Sequence, residues 1–203
     1  AISVAGRAAF FMLPQFKPVL ALFFDLAAWR PWLGDAVLLL DDTERERARR
    51  KHRASDRDDL ALTYALHRLV LARVLECDPG AVAIGRDALG RPCLADGTLQ
   101  TSLSHADGFV AVAVGQGALG IDLELASRAA TMQTIADQVC HPDEARSLAG
   151  LDDAGRGLAL LRLWVRKEAL LKAAGIGLSR EMPSFVAPTD QPLALPLADG
   201  GDD

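Results

Sequence analysis

A long helical pattern over 156–174 carries the segment WVRKEALLKAAGIGL (164–178) and stops at Gly175, the residue that most often closes a helix. Glu168 precedes Lys172 by four residues, so a carboxylate that can accept a proton and an ammonium share one helix face. A second apolar helix is predicted over 57–76, where Leu60, Leu62, Leu66, Leu69, Val70 and Val74 recur at helical spacing. Each long helix lies beside short strand-like runs. That pairing predicts an α+β chain whose helices pack on small, mainly antiparallel sheets, and it is compatible with two similar halves packed together. No residue-level repeat accompanies the two halves.

The run GIDLEL (120–125) places Asp122 and Glu124 two residues apart. As a strand, it sends both carboxylates to one side of the sheet. Three carboxylates and a lysine on two adjoining elements point to a divalent-metal site that handles phosphate.

The rest of the pattern is shorter. Residues 35–40 (DAVLLL) read as a strand, and Thr43 with Glu46 fits a capping box that opens a charged helix to about Arg53. Ser55 with Asp58 gives a second, weaker start signal. Asp78, Pro79 and Gly80 make a turn that ends the first long helix near Cys77, and 81–84 reads as a strand. Gly90, Arg91 and Pro92 form another turn. Leu103, Ser104 and His105 lead into a turn at Asp107 and Gly108. FVAVAV (109–114) reads as a buried strand that forms a hairpin with 118–125. A helix near 131–139 breaks around His141 and Pro142, and another begins near Asp143. Residues 1–18 show no period, and the segment after Gly177 reads as short strands and a loose tail.

Composition narrows the function classes. The 203 residues carry a formal net charge of −5, which argues against general nucleic-acid binding and leaves room for one small anion in a local basic pocket. The three cysteines, Cys77, Cys93 and Cys140, form no CxxC pair. That argues against zinc and for a reduced, cytoplasmic setting. The apolar run 19–24 is too short to span a bilayer, and no stretch has the make-up of a signal peptide.

Four motifs then stand in order: GRP at 90–92, SLSHADG at 102–108, GIDLE at 120–124 and WVRKEALLKAAGIGL at 164–178, with LDDTERERARR at 40–50 as a looser fifth. On these residues the chain resembles the 4′-phosphopantetheinyl transferases of the surfactin-synthetase-activating type, over roughly 40–180. The resemblance implies a pseudo-dimer of two related α+β halves, here 1–107 on the nucleotide side and 108–203 on the metal and catalytic side. It implies transfer of phosphopantetheine from coenzyme A to a serine of an apo acyl or peptidyl carrier protein. The resemblance further implies a requirement for Mg²⁺ and release of adenosine 3′,5′-bisphosphate. The partners would be coenzyme A and the carrier, with no membrane or nucleic acid, and a fused two-half chain favours a monomer.

Residue by residue, the resemblance makes Asp122, Glu124 and Glu168 the metal ligands. Glu168, or a water on the metal, takes the serine proton, and Lys172 contacts the phosphates and stabilises the departing oxygen. Ser104 and His105 match the family's Ser-His pair near a coenzyme A phosphate. Adjacent strand residues face opposite ways, which disfavours reading them as a hydrolase dyad. Arg91 is the candidate for the 3′-phosphate, Arg47 a cation near the nucleotide, and Lys167 a supporting phosphate contact. One departure stands out: the family often has a basic residue where this chain has Asp59. A non-catalytic module of the same fold that binds coenzyme A or a carrier stays open as the alternative. A glycosidase-like use of paired carboxylates is the poorer fit, with only 5% aromatic residues and the Lys172 spacing against it.

Overall fold

The computed structural model describes residues 9–11, 19–95, 97–176 and 180–188. Strands β1 (Ala9–Phe11), β2 (Val19–Asp25), β5 (Gln100–Ala106) and β6 (Phe109–Gly115) form one antiparallel sheet in the order β1-β2-β6-β5. Strands β3 (Ile84–Arg86) and β4 (Pro92–Leu94) pair as a separate antiparallel hairpin. The helices are α1 (Leu33–Leu39), α2 (Asp42–Arg49), α3 (Ala54–Leu75), α4 (Ala136–Val139), α5 (Pro142–Leu148) and α6 (Asp153–Ala174). The chain is α+β, as its pattern predicts.

β6 is the inner strand between β2 and β5, and its residues Val110–Val114 are buried on both faces. A continuous apolar run is what such a position requires. β5 and β6 are joined by Asp107 and Gly108, both at positive φ (44° and 81°), the two-residue turn that suits the twist of a hairpin. One face of this hairpin presents Leu103, Val110, Val112 and Val114 to the leucines of α3. Thr101 lies on the same face. Its hydroxyl donates to Ala113 O (3.1 Å) and accepts from His67 Nε2 (2.8 Å). Burial keeps that imidazole neutral, with its pKa lowered to about 3.

The opposite face carries small residues, Ser102, Ser104, Ala111 and Ala113, and there the segment 119–125 crosses. Ile121 N donates to Ser102 Oγ at 3.0 Å. Beyond that segment lies α6, whose Leu160, Leu161, Leu163 and Leu171 build a second core with Met132, Val139, Met182 and Phe185. Gly120 is required at this crossing: a Cβ there would fall 1.9 Å from Ala169 O and 2.6 Å from Ala173 N of α6.

Several elements differ from the sequence reading. Residues 35–40 lie mostly in helix α1, because Ala36 and Leu40 are buried while Leu38 is 79% exposed, a helical and not an alternating pattern. The capping box sits two residues earlier, at Asp41 and Glu44, and α2 ends at Arg49. Both acids also hold the buried Arg68 of α3 (2.5 and 2.6 Å), which fixes the helix start. α3 begins at Ala54 with no side-chain cap. The strand expected at 81–84 lies at Ile84–Arg86. Residues 119–125 form no strand, and the hairpin partner of β6 is β5. The expected helix near 131–139 is a 3-10 stretch, Ala126–Ile135, followed by the short α4. Part of the expected C-terminal tail, 177–179 and 189–203, lies outside the described residues.

Candidate active site

The site forms where β5, the 119–125 segment, the β3–β4 hairpin and the end of α6 meet. β5 is a sheet edge, so its two faces reach two neighbouring spaces. Ser104 turns to the 119–125 side and donates from Oγ to Asp122 Oδ1 at 2.8 Å. His105 turns the other way and lines a cavity of about 290 Å³ with Leu60, Tyr64, Arg86, Arg91 and Lys172. The two side chains therefore do not face each other.

Asp122 is the junction. Its Oδ1 also accepts from Lys172 Nζ at 2.7 Å, and the same ammonium donates to Ile121 O at 3.1 Å. Three sequence-distant segments, at 104, 122 and 172, thus meet at one carboxylate. Gly175 ends α6 in the left-handed region (φ 69°), and the Arg91 guanidinium packs on it, 3.0–3.2 Å from where a Cβ would be. Arg91 is anchored by Asp87 (Nε to Oδ2, 3.0 Å) and donates to Lys172 O at 3.4 Å. A cation at the C-terminal carbonyls of a helix is favourably placed.

Glu168 lies one turn before Lys172. Burial holds its carboxyl above the usual glutamate range. Asp122 and Glu124 push the same way, and Lys172 and Arg128 oppose them. Glu124 is raised too, again by burial first, with Asp122 and Asp107 adding to the shift against the pull of Arg128. The three acids therefore share one electrostatic neighbourhood. Two of their carboxylates are engaged by cations of the chain, Asp122 by Lys172 and Glu124 by Arg128. Among the described residues, no three Asp, Glu, His or Cys side chains stand close enough together to grip an ion in this arrangement.

His105 is held below the usual histidine range by burial and by the positive charges of Lys51 and Lys172, against the opposing pull of Asp59. It is therefore neutral near pH 7 unless an anion arrives. Arg47 is exposed on α2, and a Cβ added to Gly90 would lie 3.9 Å from its guanidinium. It thus stands at the cavity rim. Asp59 pairs with Arg30, so a cation does occupy the space beside the departure noted in the sequence.

Lys167 is a correction. It is 0% exposed, salt-bridged to Glu144 at 2.6 Å, and donates to the carbonyls of Val139, Met182 and Phe185 at 2.7–2.8 Å. With its donors committed inside the second core, it has none left for a phosphate. The sequence reading missed Arg86, Lys51 and Arg128. Arg86 donates to Gly90 O (2.8 Å), stacks over Tyr64 at 5.2 Å and keeps one buried nitrogen without a partner. Its position five residues before Arg91 was the available signal.

A cavity with apolar walls and several cations, joined at Asp122 to a group of acids, suits a phosphorylated ligand held beside a hard cation. Residues 118–195 match the family model described as the 4′-phosphopantetheinyl transferase superfamily. The 4′-phosphopantetheinyl transferase HetI of a Nostoc strain is 28% identical over 165 residues, covering 78% of this chain and 70% of its own. A phosphopantetheinyl transferase of Thraustochytrium is 29% identical over 198 residues, covering 88% and 69%. A 4′-phosphopantetheinyl transferase of Bacillus subtilis is 28% identical over 160 residues, covering 77% and 70%. Among the described residues no helix is long and apolar enough to cross a membrane.

Proposed function

We propose that the protein, whose residues 118–195 match the 4′-phosphopantetheinyl transferase superfamily, transfers phosphopantetheine from coenzyme A to a serine hydroxyl of an apo acyl or peptidyl carrier protein. The observation that carries this reading is the meeting of Ser104, Asp122 and Lys172 through bonds of 2.7 and 2.8 Å, beside a cationic cavity. The surfactin-synthetase-activating type is the finer assignment, supported by the order of the motifs. Two cores, one around each long helix, support a fold of two halves, although the first core takes in Val110, Val112 and Val114 and so runs past the expected division into 1–107 and 108–203. The sheet crosses that boundary at the β5–β6 turn.

Arg91, His105 and Arg47 are the candidates for the nucleotide phosphates. Arg91 offers a rigid fork, and His105 gains a proton when an anion offsets Lys51 and Lys172. The donor set suits Mg²⁺: Asp122, Glu124 and Glu168 offer only oxygens, and their mutual repulsion is the kind a cation relieves. When bound, the ion supplies positive charge to the diphosphate. Glu168, whose carboxyl burial and Asp122 hold above the usual glutamate range, is suited to accept the carrier serine's proton. The serine oxygen forms a bond to the phosphorus of the phosphopantetheine, and the bond from that phosphorus to the bridging oxygen breaks. Adenosine 3′,5′-bisphosphate leaves with the bridging electrons, and Lys172 balances the charge on its departing oxygen.

Incubation with coenzyme A, Mg²⁺ and a panel of apo carrier proteins tests the reading. Intact-mass spectrometry is expected to find one phosphopantetheine added to a carrier serine. Coenzyme A binding with no carrier modified would instead favour a module that binds without catalysing.

A further inference from the structure

Arg128 has no role in the reading above, yet it holds one of its three acids. It is the third residue of the 3-10 stretch Ala126–Ile135, four residues after Glu124. Its Nη1 donates to Glu124 Oε1, and its guanidinium lies over the Trp164 ring at 5.2 Å. Trp164 stands on α6 one turn before Glu168, so Arg128 bridges the two elements that carry the acids. We propose that Arg128 is an internal counter-ion that competes with a divalent cation for Glu124, and that this ion pair must open before the carboxylates can share an ion. The inference rests on the metal reading of Asp122, Glu124 and Glu168.

Three observations carry it. The acids of the site are not gathered as they stand, and the carboxylate of Glu124 is engaged by Arg128. The Arg128 side chain is 39% exposed against 19% for Glu124, so the arginine can swing into water without disturbing the core. An ion pair with one partner this open to water is also weak enough to exchange. Lys172 performs a similar service for Asp122, but it faces the cationic cavity and has work to do on phosphate. Arg128 lines neither that cavity nor any contact to Ser104, His105 or Lys172. Its place over Trp164 gives it an alternative attraction when Glu124 leaves.

A rival role has the opposite sign. If Arg128 instead orients Glu124 toward the ion, removing it weakens binding. Binding of Mn²⁺ alone, read from the electron paramagnetic resonance signal of the free ion, separates the two without any turnover. Arg128→Gln is expected to bind Mn²⁺ more tightly than the unaltered protein by a factor of about two to five, the range an exposed ion pair is worth. In a Glu124→Gln background most of that gain is expected to vanish, leaving only the weaker field of Arg128 on Glu168, because the competition acts through the Glu124 carboxylate. Equal or weaker binding by Arg128→Gln overturns the proposal, as does an equal gain in the Glu124→Gln background, which would indicate a general field effect. Absence of Mn²⁺ binding by both the unaltered protein and Arg128→Gln overturns the metal reading and this inference together. Binding by the unaltered protein with no gain in the variant sinks the inference alone.

Discussion

Glu168 is a residue whose environment bears on both stability and chemistry. Burial raises its pKa and Asp122 adds to the shift, so the folded chain holds this proton more tightly than the unfolded chain does. By linkage, the group adds stability below the ordinary glutamate range and loses it as pH rises through the raised value. Glu168→Gln is therefore expected to raise the melting temperature at about pH 8 and to lose that advantage near pH 4, where the native carboxyl is protonated as well. The gain stays under about 1 kcal/mol, because the half-buried group is screened by water. Thermal melts at the two pH values check this, and a loss of stability at the higher pH would contradict it. The same variant is expected to lose transfer, the exchange of activity for stability common at sites built from like charges.

At the scale of the element, α6 presents Lys172 to the site on one side and buries Lys167 on another. Removing the Lys167 ammonium leaves Glu144 buried without its partner. Lys167→Met is expected to cost about 3–5 kcal/mol of stability, much of it recovered by adding Glu144→Gln. Coenzyme A affinity, measured well below the melting transition, should stay unchanged. A stable Lys167→Met protein with weakened coenzyme A binding would restore the phosphate contact read from the sequence. That reading failed because a helix sequence gives the angle of a lysine and not what packs above it; here the cover comes from Val139, Met182 and Phe185. DAVLLL failed for a related reason, since a short apolar run fits helix and strand alike. GIDLEL alternates as a strand should, but the described chain gives it the serines of β5 to lean on instead of a backbone ladder. What the sequence did make legible was chemistry with local punctuation. The αL stop at Gly175, the turn at Asp107 and Gly108, the two long helices, and the opposed faces of Ser104 and His105 all follow from rules that act within a few residues.

For the whole molecule, the sheet is the device that makes one site out of distant segments. Its α3 face closes the cationic cavity through His105, and its other face seats the 119–125 segment against α6 through Ser102 and Ser104. Arg91 then ties the β3–β4 hairpin to the end of α6. Asp122 and Lys172, fifty residues apart in sequence, consequently belong to one functional unit. A double-mutant cycle on the transfer rate tests that unity most directly, comparing Asp122→Asn, Lys172→Met and the pair. Each single change is expected to lower kcat/KM by about a hundredfold or more, and the pair to be little worse than the worse single change, as for groups that act together. Losses that simply multiply in the pair would mean that the two residues act independently, and would contradict the account.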